Sequence, residues 1–547
     1  MRRMRRAAAA VAIPAAAALL LAGCGGGGSS AGGAGGTDTI TIDGSQPQNP
    51  LIPSNTVETG GGNVLDHLFT GLVRYDTDTG EPVNAVAESI ESSDAQNFDI
   101  TLKSGWTFHD GTPVTAQSFV DAWNWGAYGP NGTLGGSFFS PIEGYSDVNP
   151  SLPDGAPEDA QPPAPTAETM SGLNVVSDTE FTVKLTEPYS PFQLSLGYLA
   201  FAPLPQSFYD DPEAFGRNPI GNGPYKFVSW QDNVQIETTK FDEYAGDDPG
   251  QVQNINVRLY QDQNAAYADL QSGNLDFQQT LPTSVVAGGQ FETDLAGRSI
   301  DKPVLVVQSA TFPLYDQRFQ NAQLRKAFSE AIDRDQITQV IFGGTRIPAD
   351  SYSSPGVPGY EAGTCGEACT YDPEKAKADL AAAGGFQGEV TLSYNADGDH
   401  KAWTEAACNS ITSAIDVPCV ATPVPTFADF RQQITQKEAT GLFRTGWQYD
   451  YPSLENLLSA TLTTGAGSND STYSSPEFDA KMAEAAAESD TQASNALYIE
   501  AEKIAMNDLP VIPLWSVKQQ SGYSANVDNV KVNVFGVLDW ESITLTS

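Results

Sequence analysis

The chain has 547 residues, with 28 Lys and Arg against 68 Asp and Glu, so its formal net charge is −40. That balance excludes a nucleic-acid phosphate backbone as partner. Hydrophobic residues make up 40% of the chain, which describes a globular body with a large core and not an acidic disordered chain.

The first six residues, Met1 to Arg6, are basic, and Ala7 to Leu21 form an apolar run broken by Pro14. The run is too short for a comfortable membrane span and reads as a secretory leader. It ends in Leu21-Ala22-Gly23-Cys24, which is similar to the bacterial lipobox. The expectation is a signal peptide over 1–23, lipidation of Cys24, and a flexible Gly-rich tether over 24–37. The body is then held at the outer face of a cell membrane through its lipid anchor only.

Thr39-Ile40-Thr41-Ile42 alternates like a first strand and enters the polar turn Gly44 to Pro50. Val64 to Phe69 has helical spacing and stops at Gly71. Phe98 to Lys103 is an alternating strand, and Asp110-Gly111 marks a turn. Thr115 is placed to cap a helix through Phe119 to Trp125. Pro150 to Pro165, rich in Pro, Asp and Ala, reads as a surface excursion. Phe181 to Leu185 and Ile255 to Tyr260 are strands. Between them Pro219 to Phe227 is a Gly/Pro turn running into another strand. Ala265 to Leu270 is helical, and Leu324 to Arg334 is an amphipathic helix whose pattern Ile337 to Ile341 continues. Asp372-Pro373 starts a helix that ends at Gly384-Gly385. Val390 to Tyr394 is a strand, Lys401 to Ile415 a helix, Phe478 to Ala505 two alanine-rich helices, and Val511 to Trp515 a strand. Strands alternating with helices argue an α/β fold.

Beyond Cys24 four cysteines remain. In an exported chain these argue two disulfides. Of the three connectivities the local one, Cys365–Cys369 with Cys408–Cys419, is expected. The Cys365-Gly-Glu-Ala-Cys369 spacing does not suit a zinc knuckle and has no histidine nearby, so no metal or cofactor is expected.

Arg444-Thr445-Gly446-Trp447-Gln448-Tyr449-Asp450 reads as a short strand running into a break at Pro452. Gly446 leaves one side bare to an approaching backbone, Trp447 offers an apolar wall with one N–H donor, and Asp450 is an anion at its end. Such a set suits an extended ligand with backbone hydrogen-bonding groups and a terminal cation. On these residues alone, however, Gly446 and Trp447 read as core packing and Asp450 as the cap of a helix beginning near Ser453.

Trp106 to Ala116 (WTFHDGTPVTA), Gly221 to Phe227 (GNGPYKF), Leu324 to Ile337 (LRKAFSEAIDRDQI) and Gly446 to Asp450 together resemble the peptide and nickel class of ABC-importer solute-binding proteins. Within that class the likeness is to oligopeptide- and dipeptide-binding lipoproteins. The resemblance implies a two-lobed periplasmic-binding-protein-like α/β fold, with an extra subdomain in the first lobe and hinge-bending closure. The implied division gives the first lobe residues 38–74, 219–308 and 520–547, the extra subdomain 75–218, and the second lobe 309–519. It also implies a monomer that captures oligopeptides and delivers them to an ABC permease, whose transmembrane subunits work with cytoplasmic ATPases. Asp450 then pairs with the peptide amine, while Gly446 and Trp447 border the peptide backbone. Arg444 corresponds to a position that meets the peptide carboxylate. His400, in the stretch that begins Tyr394-Asn395, corresponds to another carboxylate-reading position, and Asn395 joins that group. Gln448 stands where the enteric relatives carry a disulfide cysteine, so that bond is absent here.

The three histidines include no His-Glu-x-x-His, and beyond the Gly-rich tether the chain has no Gly-x-Ser-x-Gly elbow or phosphate-binding loop, so an enzyme is not expected. Two alternatives stay open: the same transport role with an oligosaccharide, nickel chelate or haem as ligand, or a peptide-sensing lipoprotein without transport.

Overall fold

Two 13-residue strands, Ser299–Thr311 and Val511–Tyr523, run antiparallel through the middle of an eleven-stranded sheet. The computed structural model describes residues 38–151, 162–396, 400–425 and 427–546. The leader, Cys24 and the Gly-rich stretch lie outside them, as do residues 152–161 of the Pro-rich excursion.

On one side of the central pair stand Leu442–Gln448, Val390–Asn395 and Cys419–Val424; on the other stand Phe277–Gln278, Thr39–Gly44, Asn254–Leu259, Gln235–Lys240 and Tyr225–Gln231. The short strand Arg346–Pro348 pairs with Val511–Tyr523 off this path. The long strands serve the two sides with different ends. Val306 to Thr311 pairs with Leu442–Gln448, while Tyr523 and Gly522 pair with Phe277 and Gln278. Between these ends the register of the pair shifts, from Pro303 to Val307. Pro303 has no N–H to give to a ladder, so the pairing is interrupted where it stands.

The first lobe adds a four-stranded antiparallel sheet, in the order Ala87–Glu91, Asn97–Leu102, Glu180–Lys184, Leu173–Ser177. Helix Ala116–Ala127 packs on it, started by a reciprocal capping box between Thr115 and Ser118. Trp123 anchors this core with no exposed surface, its ring 5.2 Å from Phe201 and 5.6 Å from Phe181. Its Nε1 donates to the Phe201 carbonyl at 2.9 Å, so the one polar atom of the ring is also satisfied. Truncating such a residue costs about 3–5 kcal/mol.

The chain end returns to this lobe. Trp540 stacks on His67 at 4.3 Å and meets Tyr225 edge-on. Burial alone would raise the Glu541 carboxyl, but Arg74 and His67 hold it well below the usual carboxylate range. Arg74 donates to Glu541 Oε1 at 3.0 Å, and His67 Nδ1 lies 3.2 Å from the same oxygen.

In the second lobe, Phe312, Phe319, Phe328 and Phe386 interlock, and Trp403 meets Trp515 edge-on at 5.2 Å. A second cluster gathers Leu457, Leu458, Phe478 and Tyr498. Cys408 of helix Lys401–Ile415 is bonded to Cys419 at the start of Cys419–Val424, and Cys365 to Cys369.

One element departs from the sequence reading. Leu324 to Ile341 is two helices, Ala322–Glu330 and Arg334–Phe342. The continuous apolar period hides the break because the break is made by polar groups. Asp333 caps the second helix by accepting from Gln336 N, and its own N–H donates to Ser410 Oγ. Buried Arg334 turns back to the Ser329 and Pro513 carbonyls.

Candidate functional site

Strand Leu442–Gln448, paired with Val306 to Thr311 of the central strand, carries the motif. Its Gly446 is exposed and lies opposite Gln308. A Cβ built there would come within 3.0 Å of the Val307 carbonyl oxygen. Part of the need for glycine is therefore the close approach of the chain's own neighbouring strand.

Past the end of the strand, Asn456 organises the turn. It sits on the buried side of helix Leu454–Leu462, among Leu454, Leu457 and Leu458. Its Oδ1 accepts from Trp447 Nε1 at 2.8 Å and from the Asp450 backbone N–H at 3.1 Å. Its Nδ2 donates to Asp450 Oδ2 at 3.0 Å. One buried amide thus fixes both the indole and the carboxylate. The helix is capped by Ser453, whose side chain accepts from Glu455 N. The reading of Asp450 as a helix cap is accordingly corrected: Ser453 fills that role and leaves the carboxylate to other work.

Asp450 keeps a part of its surface open to solvent. Enclosure by the surrounding protein nevertheless pushes its carboxyl up to about 6, with Asn456 pulling down and Glu455 pushing up. It faces groups of the first lobe. Burial first, and then the fields of Asp450 and Asp66, raise the phenols of Tyr75 and Tyr198. Asp66 stands on the exposed side of helix Thr59–Leu68, yet enclosure by the surrounding protein raises its carboxyl against the pull of His67 and Arg74. Two acids and two tyrosines thus share one region, and among the described residues no cation acts on Asp450 strongly enough to offset its enclosure. Next to it, Tyr451 donates to Glu455 at 2.6 Å and lies 3.1 Å from Tyr189 of the first lobe, so a buried polar bridge joins the lobes beside the carboxylate.

The other motif residues fall into a second group. Arg444 donates through Nε and Nη2 to Asn395 Oδ1, at 2.8 and 2.6 Å, and its guanidinium lies over Phe427 and Phe430. His400 immediately precedes helix Lys401–Ile415, and its Nδ1 accepts from Trp403 Nε1 at 3.1 Å. That bond places the proton of the neutral ring on Nε2. Arg444 and Asp450 are six residues apart along one extended segment, roughly 20 Å at the strand rise. A cavity of about 260 Å³ is lined by Arg444, Thr445, Gly446 and Trp447, among others, but not by Asp450.

Asn456 and Asp66 are the residues that reading the sequence for binding groups did not single out. For Asn456 the signal was an amide among leucines at helical spacing, a polar residue where the pattern wants an apolar one. Asp66 carries no comparable signal. Among the described residues, no cluster of three or more His, Cys, Asp or Glu could hold a metal ion, and no helix is long and apolar enough to cross a membrane.

The profile of the bacterial extracellular solute-binding proteins, family 5 (middle), matches residues 81–469. The chain is 25% identical over 505 residues to the oligopeptide-binding protein OppA of Bacillus subtilis, covering 88% of each. It is 26% identical over 487 residues to the periplasmic murein peptide-binding protein MppA of Escherichia coli, covering 85% of each. Its fold superposes on the structure of Burkholderia pseudomallei OppA with a TM-score of 0.75 at 22% identity, over 94% of this chain and 100% of that one.

Proposed function

Because the chain belongs to the bacterial extracellular solute-binding proteins of family 5, receptors and not enzymes, we propose that it is an extracytoplasmic receptor for oligopeptides. It captures them between its lobes and passes them to an ABC permease for ATP-driven import. The observation that carries the peptide reading is Asp450: an enclosed carboxylate at the end of an exposed strand segment, aimed at the other lobe. A peptide's ammonium group supplies the cation this carboxylate lacks, through a charge-assisted hydrogen bond. The names of the relatives, oligopeptide-binding and murein peptide-binding, point the same way. A neutral sugar offers this carboxylate hydroxyl donors but no opposite charge.

In this reading the peptide lies extended beside Gly446, its backbone pairing as an added strand does, with Trp447 as its wall. Arg444, steadied by Asn395, receives the carboxylate of one peptide length, and His400 that of another. Closure bends the long strand pair near the register shift between Pro303 and Val307. Cys24 carries the lipid anchor. Residues 38–74, 219–308 and 520–547 act as one jaw, 309–519 as the other, and 75–218 as the added subdomain.

The test is calorimetry with a free-amine tripeptide, its N-acetylated form and a chito-oligosaccharide. Free-amine binding that acetylation abolishes supports the reading. Binding of the sugar alone overturns it.

A further inference from the structure

The cavity beside Gly446 is neither a plain apolar slot nor a charged one. Its floor is a row of hydroxyls on adjacent strands. Thr445 Oγ1 lies 3.0 Å from Ser309 Oγ and 2.7 Å from Thr311 Oγ1, and all three side chains line the space. Ser309 and Thr311 are each only 2% exposed. Every hydroxyl oxygen in the row can accept twice, and the rotors can reverse together, so the row can either offer a proton to a guest or take one from it.

Its walls are rings: Trp447, held in place by Asn456, and Phe427 and Phe430. Such a lining favours an aromatic guest over an aliphatic one. The charges present discriminate against a cation. Arg431 and Asp470, both lining the cavity, form a two-pronged pair at 2.6 and 3.0 Å. A basic side chain must lie against the guanidinium groups of Arg431 and Arg444. The volume of about 260 Å³ leaves room for a large side chain.

Resting on the peptide reading above, we propose that this cavity selects the side chain seated over it: a large aromatic group with an uncharged hydrogen-bonding tip, tyrosine in preference to phenylalanine, leucine or lysine. The ring packs against this aromatic lining, and the phenol reaches the Ser309–Thr445–Thr311 row. A matched hydroxyl in such a place gives about a three- to tenfold advantage over the same ring without it.

The experiment is calorimetry on the full chain with trialanine peptides bearing one tyrosine at each position in turn. The best position is then repeated with Phe, Leu and Lys. Expected is one position at which Tyr binds about five- to tenfold more tightly than Phe, and Lys binds more weakly than either. In Thr445→Val the Tyr-to-Phe ratio falls to within twofold. Ser309→Ala is the second variant should the first fail to fold, as judged by its melting curve. Equal binding of Tyr and Phe in the wild-type protein, or a ratio unchanged in the folded variants, overturns the inference and leaves the peptide reading standing. Absence of heat from every peptide overturns the peptide reading itself, and this inference with it.

Discussion

Replacing Asp450 by asparagine separates what the carboxylate does for the ligand from what it does to the fold. Asparagine keeps an oxygen for Asn456 Nδ2, which now donates at 3.0 Å, but cannot ionise. In the folded protein the Asp450 carboxyl lies at about 6 against an ordinary 3.8, so between those values the native state binds the extra proton. Its contribution to folding is fully present below about 4 and is lost as pH rises through about 6; at neutral pH the ionised group costs stability. Two pH units correspond to about 3 kcal/mol, which partial solvent contact reduces to about 1–2 kcal/mol. Asp450→Asn should therefore melt about 2 °C higher than wild type near pH 7.5 in the absence of ligand, with the gap closing near pH 4. The same variant should bind a free-amine tripeptide at least about 2 kcal/mol more weakly, on the scale of removing one partner of a desolvated charge pair, and leave an N-acetylated peptide nearly unaffected. Scanning calorimetry and titration calorimetry on one preparation read both. A variant that binds the free amine as tightly as wild type refutes the charge pairing, and one that melts lower near pH 7.5 refutes the stored cost.

In the wild-type protein, affinity for a free-amine peptide should fall by about tenfold from pH 7 to pH 5, because Asp450 must ionise to bind; a flat profile contradicts this assignment. Asn456→Ala removes the acceptor of Trp447 and the donor of Asp450 together. Peptide affinity should drop by about 1–3 kcal/mol, and the pH midpoint should move above 6, since Asn456 now pulls the Asp450 carboxyl down; tryptophan fluorescence and pH titration check it. The double variant Cys408→Ser, Cys419→Ser should lose about 3 kcal/mol of stability and its sensitivity to reductant, measured by denaturant unfolding with and without dithiothreitol. Cys24→Ala should shift the protein from the membrane fraction to the soluble exported fraction, read by immunoblot; unchanged membrane retention contradicts lipidation there.

Much of the architecture could be read locally. Helix Lys401–Ile415 and the caps Thr115 and Asp372 come from signals a few residues long. The central strand Ser299–Thr311 escaped because Pro303 interrupts it and its apolar run does not alternate. In the folded chain that proline stands at a shift of register, a place only the partner strand defines. The motif around Gly446 to Asp450 was visible as a strand with an anion at its end. Whether Asp450 capped the next helix was a contest between two oxygens three residues apart, and Ser453 has it. The role of Asn456 depends on two partners brought to it by a turn, and Asp66 belongs to the region only through the tertiary fold. No spacing rule in a single sequence reports either.

The pairing of Trp540 and Glu541 with His67 and Arg74 has a bearing on the order of folding. Glu541 stands 467 and 474 residues from its two partners along the chain. Contacts of such span form late, because the entropy of closing the loop must be met before they reward it. The region around His67 therefore gains its indole wall only after the intervening chain has found its place.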